Sequence, residues 1–354
     1  MTSTRISDPR RFDDWRQSPL DEAAYDIAAA PADERKRLLS QLAKRISTML
    51  EQGEGQKIRE ALSKPRSSSV CRILLQALER ALSTNELDGG VSVRVFAFPV
   101  LFVVGGASAA RVDGVVSDAD KIRSLFETAG TLGHCRNFGL SNALTDLGSL
   151  ENISWSTLHA ITRGGQWHGL AGLDLPPADI AVTANQETVH LRFLVGAALT
   201  PGDAPDFVES AGDIGRWGMS LTKLLGNQLG SQGVSLLAIP RPPRGVVHAA
   251  KEGWYAAREM GFQLFLSNAL RQSRMRTGDP DVMITACSDP SIRIHLTSPF
   301  DDLFDQTYVW PLALSDEFDS IVDSIFALLK EAKVERIEVA SKIDEISDTK
   351  APPH

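Results

Sequence analysis

The chain has only three cysteines, Cys71, Cys135 and Cys287, and no two of them form a C-x-x-C pair. Three thiols rule out a disulfide framework, and the missing pair removes the common zinc and redox spacings, which points to a reducing cytosol. A long apolar run is also missing. The longest, Val95 to Val104, covers ten residues and is interrupted by Pro99. A membrane-crossing helix needs about 20 apolar residues, so this run reads as a buried strand and no membrane contact is expected. Arg5, Arg10, Arg11 and Arg16 have no apolar stretch behind them, so no secretory signal is read. Gly105-Gly106 follows an apolar segment, yet neither G-x-G-x-x-G nor G-x-x-x-x-G-K-[ST] is present. That argues against the usual nucleotide folds. No G-x-S-x-G or H-E-x-x-H occurs either. No catalytic residue, metal or cofactor is therefore expected.

What is there is an ordinary globular composition. The 354 residues are 43% hydrophobic and 23% charged, which excludes a disordered tail, a collagen-like fibre and a coiled-coil rod. The length predicts two lobes. The net charge of −8 is unevenly distributed: residues 1–90 carry +1, residues 91–300 carry −1 and residues 301–348 carry −9. An acidic chain is a poor general nucleic-acid binder, because phosphate contacts need Lys and Arg. The local exception is Arg241 to Arg276, where seven basic residues face only Glu252 and Glu259.

Along the chain, a segment of about 88 residues reads as helical, with Leu38, Leu42, Ile46 and Met49 on one stripe and Cys71, Leu74, Leu75, Leu78 and Leu82 on another. After Asp88-Gly89-Gly90 the pattern changes to β-branched and aromatic residues, with Pro99 expected at a bulge, an end or an edge. A capped helix follows Ser117-Asp118, and a hairpin is predicted over Asp179 to Leu199. Then come a helix (Ile214 to Leu229), a strand (Val234 to Ile239) and the longest helix (Val246 to Met275). A second hairpin is expected over Val282 to Leu296, then strand, helix, strand and a polar tail. The expected divisions are 1–88 helical, 89–232 a first α/β copy with insertions, 233–341 a second copy, and 342–354 a tail.

The second copy is suggested by internal matches. Val93 to Pro99 aligns with Val234 to Pro240, Leu140-Ser-Asn-Ala-Leu144 is identical to Leu266-Ser-Asn-Ala-Leu270, and Asp179 to Ala184 aligns with Asp281 to Ala286. The expected fold class is α/β or α+β, with duplicated strand-helix-hairpin-helix units related by a pseudo-two-fold.

The duplication nominates Ser141, Asn142, Ser267 and Asn268, expected on helices, as polar groups facing a cleft; small residues allowing close packing are the structural alternative. Residues unique to the first copy add His134, Cys135 and His168, with Trp155, His159 and Arg163 spaced four apart on one helical face. His134, Cys135, His159 and His168 have no recognised metal spacing. In the basic stretch, aromatics accompany Arg258, Arg271 and Arg274, which are candidate contacts for an anion or partner, a solvated helix face being the structural alternative. Three functions follow. The first is a cytosolic, non-catalytic interaction, assembly or regulatory factor whose partner is a protein, self or other. The second is an enzyme with a thiol or His site between the copies. The third, not favoured, is a nucleic-acid-binding regulator using the Arg-rich helix.

Overall fold

The computed structural model describes residues 6, 8–10, 12, 18–83, 86–87, 91–133, 135–152, 175–201, 214–230, 233–276 and 278–340. It mixes helices and strands in an α+β arrangement and divides into two compact units, one of residues 17–63 and 72–257, the other of residues 1–16, 64–71 and 258–354. No described helix is long and apolar enough to cross a membrane.

The larger unit begins with helices α1 (Pro19–Ala29), α2 (Ala32–Glu51), α3 (Gly55–Ser63) and most of α4 (Ser68–Ser83). Its sheet is built on β2 (Val91–Gly106), whose bulky apolar residues have neighbours on both sides. One side is β6 (Thr188–Pro201), which pairs with β2 from Val91↔Pro201 to Val104↔Thr188 and then with β4 (Arg136–Thr145), which is followed by the short α6 (Leu147–Asn152). The other side is shared by β1 (Glu86–Leu87), β7 (Val234–Pro240) and β8 (Arg244–Gly245). Pro99 lies inside β2 without breaking it. Its carbonyl accepts the Arg241 N–H at 2.8 Å on the β7 side, so its missing N–H falls in the gap between β7 and β8.

Both faces of this sheet are covered. On one, Phe98 stacks on Phe126 of α5 (Ala119–Ala129) with centroids 4.5 Å apart, and both rings meet Trp217 of α7 (Ile214–Leu229) edge-on. All three aromatics are fully buried in the core. On the other, Gly253 of α8 (Val246–Arg276) approaches Pro99, Leu191 and Phe193 so closely that a Cβ would lie 3.0–3.1 Å from them. Glu79 caps α8 from α4: its Oε2 accepts the N–H groups of Val247 at 2.8 Å and His248 at 3.3 Å. A Cβ at Gly245 would overlap that carboxylate.

The smaller unit takes α8 from Arg258 onward, the hairpin β9 (Asp281–Ala286) and β10 (Ser291–Ser298), then β11 (Asp301–Pro311), α9 (Phe318–Glu331) and β12 (Arg336–Val339). The sheet order is β11-β10-β9-β12, antiparallel except for β12 beside β9. Alternation along β10 buries Ile292, Ile294 and Leu296, and Ile321, Ile325 and Leu329 of α9 are buried as well. Phe262 of α8 packs on Tyr308 and Trp310 of β11. Met283, Thr307 and Val309 are exposed on the opposite face.

The duplication is not confirmed: Val93–Pro99 and Val234–Pro240 are both strand, as are Ile180–Val182 and Asp281–Ala286, but the identical pentapeptides differ. Leu140–Leu144 is strand in β4, not the expected helix, whereas Leu266–Leu270 is helix in α8. The expected Asp179–Leu199 hairpin does not close on itself, because both edges of β6 are already taken by β2 and β4. β5 (Ile180–Val182) pairs instead with β3 (Ala110–Val112). The Val282–Leu296 segment is a true hairpin.

Candidate functional site

Ser141 and Asn142 belong to the larger unit, Ser267 and Asn268 to the smaller. Ser141 sits where the β4–β6 register slips between Leu140 and Leu144. Its hydroxyl accepts the Val195 N–H at 3.3 Å and donates to Ala143 O at 2.8 Å, filling the gap left in the ladder. That is a structural task. Asn142 and Ser267 are exposed, and Asn268 accepts a hydrogen bond from Arg271 at 3.1 Å. His134, His159 and His168, with Trp155, Arg163 and Trp167, lie outside the described residues, as does the 342–354 tail.

Cys135 is half-buried, and burial pushes its thiol up to about 11 against the smaller opposing pull of Arg94. A thiol of that kind is protonated at neutral pH and a weak nucleophile. Among the described residues no group of three His, Cys, Asp or Glu side chains is placed to hold a metal.

The three arginines separate. Arg258 is buried and forms a two-point pair with Asp316, Nη1 donating to Oδ2 at 2.7 Å and Nη2 to Oδ1 at 3.3 Å. The same carboxylate accepts the Ala313 N–H at 2.8 Å. Arg10 closes the knot from the other end of the chain, donating to Ala313 O at 2.7 Å and Asp316 O at 2.8 Å. Arg258 is thus a core residue and not the exposed anion contact the sequence suggested, because its charge needs a partner once buried. Arg274 pairs with Asp279 at 2.7 Å in the open, and Arg271 is exposed.

Sequence reasoning missed a polar cluster on β6. Arg192 donates to Ala178 O at 3.0 Å, to Leu191 O at 2.8 Å and to Asp179 O, so its donors clamp the chain entering β5. His190 stands two residues away on the same face, its Nε2 3.0 Å from Thr188 Oγ1. Burial holds its imidazole below the usual histidine value, with the Arg192 charge adding to the effect. Asp146 is held low chiefly by the Ser149 N–H it accepts at 2.6 Å. Arg192 and Asp146 bond the backbone and His190 bonds Thr188, so the cluster reads as a clamp.

The sheet edges differ more sharply. β4 is bridged by the Gly114–Val116 stretch, with Leu144 N–H on Gly114 O and Val116 N–H on Asn142 O, and β7 has its Ala238 carbonyl taken by Thr222 of α7 at 2.8 Å. β12 is short and carries Arg336 and Glu338, the charged form in which edges resist pairing. β11 is longer, with its carboxylates and a register shift confined to its first half and a regular register against β10 from Asp305 to Pro311. The Leu312 N–H bonds Pro290 O and the Cys287 N–H bonds Ser291 O, so the register points the backbone of Trp310, Tyr308 and Gln306 at β10. Asp305, Thr307 and Val309 therefore turn their N–H and C=O groups outward, and these meet no partner among the described residues. Beside them Leu303 is 87%, Phe300 76% and Val309 50% exposed. The strand carries Asp301, Asp302 and Asp305, and His295 Nε2 lies 2.7 Å from Asp305 Oδ1. The alternating pattern of Thr307 to Trp310 is legible in sequence, but which strand ends a sheet is not.

No family model, no curated protein and no solved structure matches this chain.

Proposed function

We propose that this chain is a non-catalytic interaction or assembly factor acting through protein–protein contacts, with the edge of β11 as its docking surface for an extended strand. The observation that carries this is the run of outward backbone groups at Asp305, Thr307 and Val309 flanked by exposed Leu303 and Phe300. Strand addition takes affinity from such backbone groups and specificity from alternate side chains. The protonated Cys135 thiol and the buried Arg258–Asp316 pair weigh against the thiol enzyme and the phosphate-binding helix respectively. Three free thiols support a reducing cytosol as the working compartment.

The test is affinity capture from the native cell extract with the intact chain, Thr307→Pro and Val309→Lys in parallel, counting further copies of the chain itself as captured protein. Pro removes an edge donor, and Lys is a residue that natural edges use against pairing. At least a tenfold loss of one bound polypeptide in both variants is expected. Equal capture by all three overturns the reading.

A further inference from the structure

We propose that the strand received by the β11 edge is β11 of a second copy of this chain, giving a two-fold dimer with one sheet continuous across both copies. This rests on the reading of β11 as a docking edge and adds the identity of the partner. Alternate residues run Leu303, Asp305, Thr307, Val309, that is apolar, polar, polar, apolar. The outward backbone is that of Asp305, Thr307 and Val309, whereas Leu303 lies beyond the register shift at Thr297/Ser298 and donates its N–H to Asp301 Oδ1 at 3.0 Å. The pattern is a palindrome centred on Gln306. Antiparallel pairing about that residue sets Asp305 opposite Thr307 of the second copy and Val309 opposite its Leu303.

Three physical conditions are met at once. At the centre the hydrogen-bonded pairs join Asp305 and Thr307, both with outward backbone, and Gln306 faces itself between them in a non-hydrogen-bonded pair, so the ladder closes there without a bulge. The most exposed apolar side chains of the edge cover each other in apolar cross-strand pairs. Like charges are kept apart, since Asp305 faces a threonine, whereas pairing centred on Asp305 sets two carboxylates opposite each other. Centring on Thr307 places Asp305 against Val309 and loses the apolar match. The smaller unit's net acidity opposes association, so added salt is expected to strengthen the dimer by screening.

A single strand pair buries less than the roughly 1,200–2,000 Å² of a standard stable complex, so the association is reversible and dependent on concentration. Sedimentation of the purified full chain is expected to move from one chain mass towards two as concentration rises, with that shift lost in Thr307→Pro and Val309→Lys. Gln306→Cys supplies a second readout that leaves the edge donors in place. Position 306 faces itself across the axis in a non-hydrogen-bonded pair, where Cα atoms lie about 4.5 Å apart, within reach of a disulfide. It is expected to form an oxidised dimer, and Asp305→Cys is not. A chain that stays at one mass at every concentration overturns the proposal. So does a dimer that survives both edge variants with no Gln306→Cys cross-link. A monomer that still loses a different captured protein through the edge variants removes the second copy and leaves the docking reading standing; loss of both removes both.

Discussion

The pentapeptide Leu-Ser-Asn-Ala-Leu occurs twice, as strand at residues 140–144 and as helix at residues 266–270. Its serines illustrate the difference. Ser141 is buried and bridges the slipped ladder between β4 and β6, whereas Ser267 is exposed on α8. In the helix, Leu266, Ala269 and Leu270 share the buried stripe that a 3.6-residue period dictates. In the strand, Ala143 and Leu144 are both buried although they are neighbours, because the irregular register turns successive residues to covered surfaces. Five residues are too few to fix their own conformation. Long helical flanks decide one case and the open side of β6 decides the other.

The largest expected effect falls on the helical copy's anchor. Arg258→Ala leaves Asp316 buried without its partner, and a loss of about 3–5 kcal/mol is expected from denaturant unfolding. A loss below 1 kcal/mol in that experiment would show that α8 is held without the pair. Next is the serine comparison itself. Ser141→Ala leaves the buried Val195 N–H unsatisfied and is expected to cost about 1–3 kcal/mol, while Ser267→Ala changes stability by about 0.5 kcal/mol or less. Equal effects would mean that the two copies are less different than their hydrogen bonds indicate.

The smallest effect separates the two surroundings by pH. The folded value of His190 lies below 6.5 because of burial and then Arg192, so the folded state binds this proton more weakly than the unfolded chain does. The contribution is complete above pH 6.5 and declines as pH falls through the lowered value. Amide protection factors, which are relative to the unfolded-chain exchange rate at each pH, are expected to fall on acidification in β4 and β6 but not over residues 266–270, and His190→Gln to flatten that response. An identical fall in both segments would break the contrast.

Much of the element order was readable. Ile214–Leu229, Val234–Pro240 and the Val246 helix stand where apolar spacing and the Pro240–Pro243 stop placed them. The β9–β10 hairpin follows from alternation around Ser288-Asp289-Pro290. The strand at 140–144 was not readable, since its hydrogen-bond partner is about 50 residues away in sequence. The buried Arg258–Asp316 pair was hidden for the same reason. A basic residue on an amphipathic helix looks solvated until a carboxylate from another element is folded against it. The clamp at Arg192 bonds backbone carbonyls, which no side-chain pattern announces.

By itself the amino-acid order determined where most of the helices and strands start and stop, through periodicity, proline and glycine, and it located the acidity in the last segment. Only the tertiary structure decided which strands lie at an edge and which buried charges find partners. Those outcomes depend on neighbours distant in sequence, and one such outcome, the exposure of β11's outward backbone, is the basis of the proposed association.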